Sequence, residues 1–451
     1  MTGRETLNRF RGRRRLKFPG SGYVLGMSVL RVRLFAVLAF AVAGAGRVPG
    51  DGIPVRGLTH GPAGFTLSFD AVQGSTYRLE RKLSPDEATW QWIPALSDFT
   101  ATATAITQMT DAEATTRPRA FYRVRQTAPC DGGLASNSAS ALDYAKAMEL
   151  CDTVTEASGA PGVISAQFTL ASGTGTPAAV SRSIRPAFGS SGDNFPRGGV
   201  SMVVLSTGAA AAKGQTNPNF QAFQQGVATG TSSAAPADWL AANGGTFPNS
   251  PGCPAPSGVM ANNPIMLTLR LRTPAYAHSF RVSAKFFSSE YPEWVCSPYN
   301  DYFVVLLDSA YAGPNPNPAD KNIAVYPVNA LKYPMGVNLV NVGLFTQCLS
   351  GPTGCAQSAT AGNNPFGTGV NGIAGTGMDD VSPTIDGICG ANNRVGGGTA
   401  WLVIRGNVTP GEIITLRFAI WDTSDNFYDS LVLLDNFAWS SETITPGMTP
   451  Q

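Results

Sequence analysis

Two runs near the middle of the chain alternate apolar and polar residues with a period of two. Ile265, Leu267, Leu269 and Leu271 fall on one side, Arg270 and Arg272 on the other. Phe280, Val282, Ala284 and Phe286 alternate in the same way with Arg281, Ser283 and Lys285. Side chains leave a strand on opposite faces in turn, so such a run buries one face and wets the other, as antiparallel sheets do. Similar runs recur at 163–170, 200–206, 301–308, 322–326, 400–405, 412–421 and 431–439. About nine strands of this kind predict an all-β fold, a jelly-roll-like antiparallel β-sandwich. One short helix is expected within 138–150, where Leu142, Ala145 and Met148 share helical spacing with Glu149. Segments 207–262 and 346–398, rich in Gly, Ala, Asn, Pro and Thr, are expected as long surface loops.

A chain of 451 residues is too long for one ordinary domain. Upstream, FTLSF (65–69), TYRLERK (76–82), TWQWI (89–93) and AFYRVRQ (120–126) alternate with period two and are punctuated by Gly74, Pro85, Pro94 and Pro118. They predict a small N-terminal β-sandwich module over 47–127, ending at Thr127-Ala-Pro-Cys130. The large sandwich would then run over 130–441, with 442–451 as a flexible tail. From Met27, an alternative start, Arg31 and Arg33 precede an apolar run, Leu34 to Ala43, and then small residues. That is the layout of a secretory signal peptide, and the run is too short to span a bilayer. Residues 1–46 are read as this signal region, so the mature protein is expected outside the cell without a stable membrane span.

Export changes the charge balance. Removing the nine basic residues and one acid of 1–46 from the 32 and 30 of the whole chain leaves 23 basic and 29 acidic residues, a net of −6. Such a chain has no electrostatic reason to seek nucleic acid. All seven cysteines lie beyond the signal region, and disulfides are their default state in an oxidising compartment. Cys130 and Cys151 could close a ~20-residue loop worth about 3 kcal/mol. Cys348 and Cys355 could staple another loop, while Cys253, Cys296 and Cys389 leave an odd thiol that spacing does not identify. The absence of any CxxC pair argues against a zinc ribbon.

Signals for catalysis are sparse. The two histidines, His60 and His278, are isolated, and neither a G-x-S-x-G elbow nor a P-loop occurs. Gly367 to Gly372 matches G-x-G-x-x-G but follows no strand pattern, so it is expected to be a flexible loop. A carboxylate pair for glycoside hydrolysis would have to be drawn from Glu290 and Glu293, which sit among aromatics.

Two islands free of Lys and Arg are more specific. The first, Phe286 to Asp308, carries Glu290, Glu293, Asp301 and Asp308; the second, Ile420 to Trp439, carries Asp422, Asp425, Asp429 and Asp435. Grouped carboxylates without basic partners repel one another unless they are solvated or share a cation. Calcium takes six to eight oxygens, and Glu290, Asp301, Asp422, Asp425, Asp429 and Asp435 are the candidate ligands or their immediate supports. The plainer reading is Asx-turns and solvated loop carboxylates. Asp435 interrupts an apolar strand, where an unpaired buried carboxylate needs a ligand or donors. Tyr291, Trp294 and Tyr299 share the first island and could stack on sugar rings or simply pack.

Four stretches carry a family resemblance. They are Ala141-Leu-Asp-Tyr-Ala-Lys-Ala-Met-Glu-Leu-Cys151, Met202-Val-Val-Leu-Ser-Thr-Gly208, Phe287-Ser-Ser-Glu-Tyr-Pro-Glu-Trp294 with Asn300-Asp301, and Asp429-Ser-Leu-Val-Leu-Leu-Asp-Asn-Phe437. In this order they resemble the bacterial choice-of-anchor L domain over about 130–440. The resemblance implies a secreted or surface-displayed domain, usually followed by a sorting tail, and implies no activity or ligand. The 47–127 module resembles short fibronectin-like modules. The closing strand also resembles the last strand of jelly-roll carbohydrate-binding modules, in which an acid at the place of Asp435 often helps to bind a structural calcium. The combined expectation is an exported, non-catalytic binding or adhesion protein with a calcium-stabilised sandwich, its partner an extracellular glycan or surface polymer. The alternatives are a secreted polysaccharide hydrolase and a structural surface-layer component.

Overall fold

The computed structural model describes residues 52–53, 55–61, 64–71, 76–82, 91–93, 99–100, 105–111 and 120–127 of the N-terminal region. Beyond that it describes 130–190, 192–223, 226–275, 277–291, 294–345, 370–378, 396–440 and 442–451. The signal region, Glu293, Cys348, Cys355 and Cys389 lie outside the described residues.

The N-terminal module is a pair of antiparallel sheets. One contains β1 (Gly52–Ile53), β8 (Phe121–Thr127), β4 (Thr76–Lys82), β5 (Gln91–Trp92) and β6 (Phe99–Thr100); the other orders β2 (Val55–Gly61), β3 (Gly64–Ala71) and β7 (Ala105–Asp111). Leu67, Phe69, Tyr77, Leu79, Ile93, Met109 and Val124 close its core. Strands β2 and β7 escape the sequence reading because their alternation is diluted by Gly and Thr. Asp111 is fully buried and accepts hydrogen bonds from Arg81 Nη1 at 2.8 Å and the Tyr122 hydroxyl at 2.9 Å.

The larger unit opens with α1 (Ala141–Lys146). Its first sheet runs β10 (Arg182–Arg185), β11 (Met202–Ser206), β21 (Ser430–Ser440), β14 (Ser279–Ser288), β19 (Leu402–Asn407), β22 (Gly447–Pro450), with β18 (Gly397–Gly398) also on β14. The second runs β12 (Ser232–Ala234), β13 (Met260–Arg272), β20 (Ile413–Thr423), β15 (Tyr302–Asp308), with β9 (Gly162–Thr169) also on β13. A separate ribbon pairs β16 (Val325–Val328) with β17 (Leu331–Pro334). The alternation noted in sequence sets the faces. Ile265, Leu267, Leu269 and Leu271, with Leu416, Phe418 and Val305, meet Phe280, Val282, Ala284, Phe286, Val432 and Leu434 in one core, which α1 seals with Tyr144 and Ala145 and the turn after it with Met148.

Three expectations change. The long Ala- and Gly-rich stretches are not all surface loops. Ala209 to Ala212 are fully buried, and Ala210, Ala212, Phe188 and Phe223 cover the outer face of the first sheet against Met202, Val204, Leu431 and Leu433. On the second sheet's outer face a further helix, α2 (Ala237–Ala242), brings Trp239 into a cluster with Phe247, Tyr302 and Trp421. These segments hide each sheet's second apolar face, so the sandwich carries two additional core layers. The stretch 442–451 is not a flexible tail: β22 pairs with β19, and Met448 is buried in the main core. The glycine-rich match at 367–372 runs into a single helical turn, α3 (Val370–Ile373), whereas a flexible loop was expected.

Candidate functional site

Four of the candidate carboxylates come to one end of the sandwich because of where their strands begin and end. Glu290 lies just past the end of β14, and Asp429 just before the start of β21, its antiparallel neighbour. Asp301 immediately precedes β15, and Asp422 is the penultimate residue of β20, again antiparallel neighbours. Each sheet thus contributes two acids to the same end. All four are at most 2% exposed. Asp425, in the loop between β20 and β21, is half-buried beside them, and its carboxylate accepts the Phe427 N–H at 3.1 Å.

The donors that serve this group are few. Asp301 spans the two sheets: Oδ2 accepts the Ser430 hydroxyl at 2.6 Å and Oδ1 the Thr423 N–H at 3.3 Å. Glu290 Oε2 accepts the Asp301 N–H at 3.2 Å. Asp422 Oδ2 accepts Asn263 Nδ2 at 2.7 Å, and Asp429 Oδ1 the Val227 N–H at 3.0 Å. Buried oxygens are left over. Asp429 Oδ2 and Asn300 Oδ1 receive no hydrogen bond. Asp422 Oδ1 receives none of good geometry, although the Thr207 hydroxyl is close enough to favour its charged form. A Cβ added at Gly208 would stand 2.0 Å from Asp429 Oδ2, so only glycine there leaves room for the carboxylate.

Burial dominates the electrostatics, because a charged carboxylate loses its water. Glu290, Asp301 and Asp422 are all held well above the usual carboxylate range, first by burial. Their mutual repulsion adds to it: Glu290 acts on Asp301, Asp301 on Asp422, and Asp422 on Glu290. Burial pushes Asp429 up to about 7. Among the described residues no Lys or Arg forms an ion pair with any of the four. The arginine nearest in sequence, Arg417, is committed instead to Asp238 and Asp308. Among the described residues, no three His, Cys, Asp or Glu side chains form a group able to hold a metal ion by themselves.

Asp435 does not join this end. It lies six residues along β21 from Asp429, on the order of 20 Å of extended chain. Its run shares a face with Leu431 and Leu433, which pack in the outer layer, until the strand bulges at Asn436, φ +54°. The alternation that fixed the strands could not reveal the bulge. The aromatic candidates also divide. Tyr291 is fully buried and packs on Phe345 at 5.5 Å, so it is a core residue and not a sugar platform. Trp294 and Tyr299 are partly exposed and lie edge to face at 5.0 Å, and Tyr428 approaches Trp294 at 6.2 Å. Phe427, 57% exposed, stands on the same loop as Tyr428. Sequence reading missed Tyr428 and Phe427 as members of this rim, and Asn263, Thr207, Gly208 and Ser430 as supports of the carboxylates. Thr207 and Gly208 could have been found, since they close the strand motif Met202 to Gly208. His60 and His278 are both exposed.

Among the described residues, two disulfides brace the unit. Cys130 pairs with Cys151 as spacing allowed, and Cys253 pairs with Cys296, settling two of the three cysteines that spacing left open. The second bond ties the 246–259 segment to the loop between Glu290 and Asp301.

A two-sheet antiparallel sandwich with paired cysteines defines the class, a β-sandwich domain of the kind found outside cells. The model of the Choice-of-anchor L domain matches residues 143–439, and the chain belongs to that family. Membership suggests a surface-associated, secreted protein, and the disulfides point the same way. Comparison with curated proteins and with solved structures gives no match. Among the described residues, no helix is long and apolar enough to cross a membrane.

Proposed function

We propose that the chain is an exported, non-catalytic binding or adhesion protein whose sandwich is stabilised by calcium at the end where its two sheets close. The observation that carries this reading is the burial of Glu290, Asp301, Asp422 and Asp429 together, with oxygens left unserved and, among the described residues, no Lys or Arg paired with them. Buried carboxylates in this state must take up protons or a cation. The four side chains do not close a ligand set unaided, so the ion would also take the Asn300 amide, neighbouring hydroxyls and water, which suits the six to eight oxygens calcium accepts. The ion would tie both sheets and the β20–β21 loop together. The partly exposed Trp294, Tyr299 and Tyr428 beside that loop then form the face offered to an extracellular glycan or surface polymer.

Thermal unfolding of the mature protein tests the calcium reading. A cation present at a hundred times its Kd stabilises by about 2.7 kcal/mol. Chelation should therefore lower the melting temperature by several degrees, and added calcium should restore it. An identical transition with and without EGTA would remove calcium from the account.

A further inference from the structure

A second group of acids lies away from that end, under the 197–201 segment. Asp435 Oδ2 accepts the Arg197 and Gly198 N–H groups, the latter at 3.1 Å. Asp131 Oδ2 accepts the Val200 N–H at 2.7 Å, the Ser201 N–H at 2.6 Å and the Ser201 hydroxyl at 2.9 Å. Between these two well-served carboxylates sits Glu149. Both of its carboxylate oxygens are shut off from solvent and neither receives a hydrogen bond of good geometry, although the Asp435 carboxyl and the Asn436 N–H are close enough to act on it. The point where a Cβ would stand on Gly199 is 2.5 Å from Asp131 Oδ2 and 2.8 Å from Glu149 Oε1, so those two oxygens are no farther apart than the sum of the distances. A Cβ on Gly198 would meet the same Glu149 carboxyl at 2.7 Å. Positions 198 and 199 of the segment above are glycine, and the carboxylates fill the space that a Cβ would need.

The chain forces this arrangement in two ways. Glu149 follows α1 with φ +65°, a left-handed backbone usually given to glycine, and so holds an unfavourable conformation while burying an acid. The Cys130–Cys151 disulfide, with its Cα atoms 5.7 Å apart, ties down the neighbour of Asp131 and the residue two beyond Glu149. Among the described residues, no Lys or Arg forms an ion pair with Asp131, Glu149 or Asp435. The basic groups nearby are engaged elsewhere: Arg197 lies over the Trp401 ring at 5.8 Å, and Lys285 donates to Asn194 Oδ1 at 2.7 Å.

We infer that Asp131, Glu149 and Asp435 form a second cation site, separate from the sheet-end group, that takes a hard divalent ion of the calcium class. Backbone N–H groups occupy Oδ2 of Asp131 and Oδ2 of Asp435, which leaves the two oxygens of Glu149 to face the ion. Side chains alone do not complete the shell, and water supplies the remaining oxygens. The ion locks the C-terminal end of α1, the 197–201 segment and the bulge of β21 to one another. This claim does not depend on the sheet-end site.

Calorimetric titration of calcium into the metal-stripped full chain tests it, with Glu149→Gln, Asp131→Asn and Asp422→Asn variants checked for folding by circular dichroism. Glu149→Gln and Asp131→Asn should each bind one ion fewer than the wild type, while Asp422→Asn keeps this site and loses the other. Asp131→Asn serves if Glu149→Gln does not fold. Undiminished calcium binding in both variants would overturn the proposal and identify Glu149 as a neutral acid hydrogen-bonded to Asp435. In that event the sheet-end site stands if Asp422→Asn alone loses calcium. A wild type that binds no calcium overturns both.

Discussion

Neutralising Asp429 should change the stability of this protein in opposite directions with and without calcium. The residue is fully buried at the start of β21, and burial lifts its carboxyl from 3.8 to about 7. A raised pKa means that the folded state holds a proton the unfolded state releases. The stabilisation is complete below the unfolded value and is lost as pH rises through about 7. At neutral pH the difference corresponds to a penalty of about 4 kcal/mol for keeping the ionised form folded without a cation. Asp429→Asn removes the charge and keeps an oxygen for the Val227 N–H, but its new amide N–H groups need acceptors, so about 2 kcal/mol of the penalty should be recovered. Urea denaturation at pH 7 in EGTA should show the variant more stable than the wild type. The same measurement in millimolar calcium should show it less stable, because a ligand has been lost. A variant less stable by the same amount in both conditions would refute the reasoning and make Asp429 an ordinary buried hydrogen-bond acceptor.

Two other outcomes follow from the fold. Trp239→Ala should cost about 3–5 kcal/mol in chemical denaturation, because Trp239 is fully buried against Trp421 at 5.6 Å and Phe247 at 5.8 Å; a loss below about 1 kcal/mol would show that this segment is not a core layer. Burial holds Lys285 down to about 8 from 10.5, so its contribution to stability should rise between those pH values as the unfolded chain alone keeps the proton. Lys285→Met should abolish that rise and be about 1–2 kcal/mol more stable at pH 7, after losing the bond to Asn194.

The sandwich was legible in sequence where side chains alternate, as at Ile265 to Leu271, because period two survives burial of one face. Its outer layers were not. Ala209 to Ala212 and the segment around Trp239 carry no strand period, and small residues packed flat on a sheet resemble a loop until the sheet's second apolar face is seen. The sheet-end acids were legible as islands without basic residues, but their meeting depends on antiparallel pairing of β14 with β21 and of β15 with β20, which the islands do not encode. Asp435 was placed wrongly because spacing cannot show which face a residue takes near a bulge, nor that Glu149, read as part of a helical stripe, would turn its carboxylate toward it. Tyr291 and Trp294 differ by three positions and are equally aromatic, yet one packs on Phe345 and the other reaches the rim.

Terbium luminescence tests the calcium centre most directly. Trp421 and Tyr302 adjoin Asp422 and Asp301 along the chain, so an ion held by these acids would sit beside two natural sensitisers. Excitation of the aromatic residues should give terbium emission that added calcium displaces and that falls in Asp422→Asn to what the Asp131, Glu149 and Asp435 site contributes. Emission absent from the wild type, or unchanged in Asp422→Asn, would contradict a cation at the closing end of the two sheets.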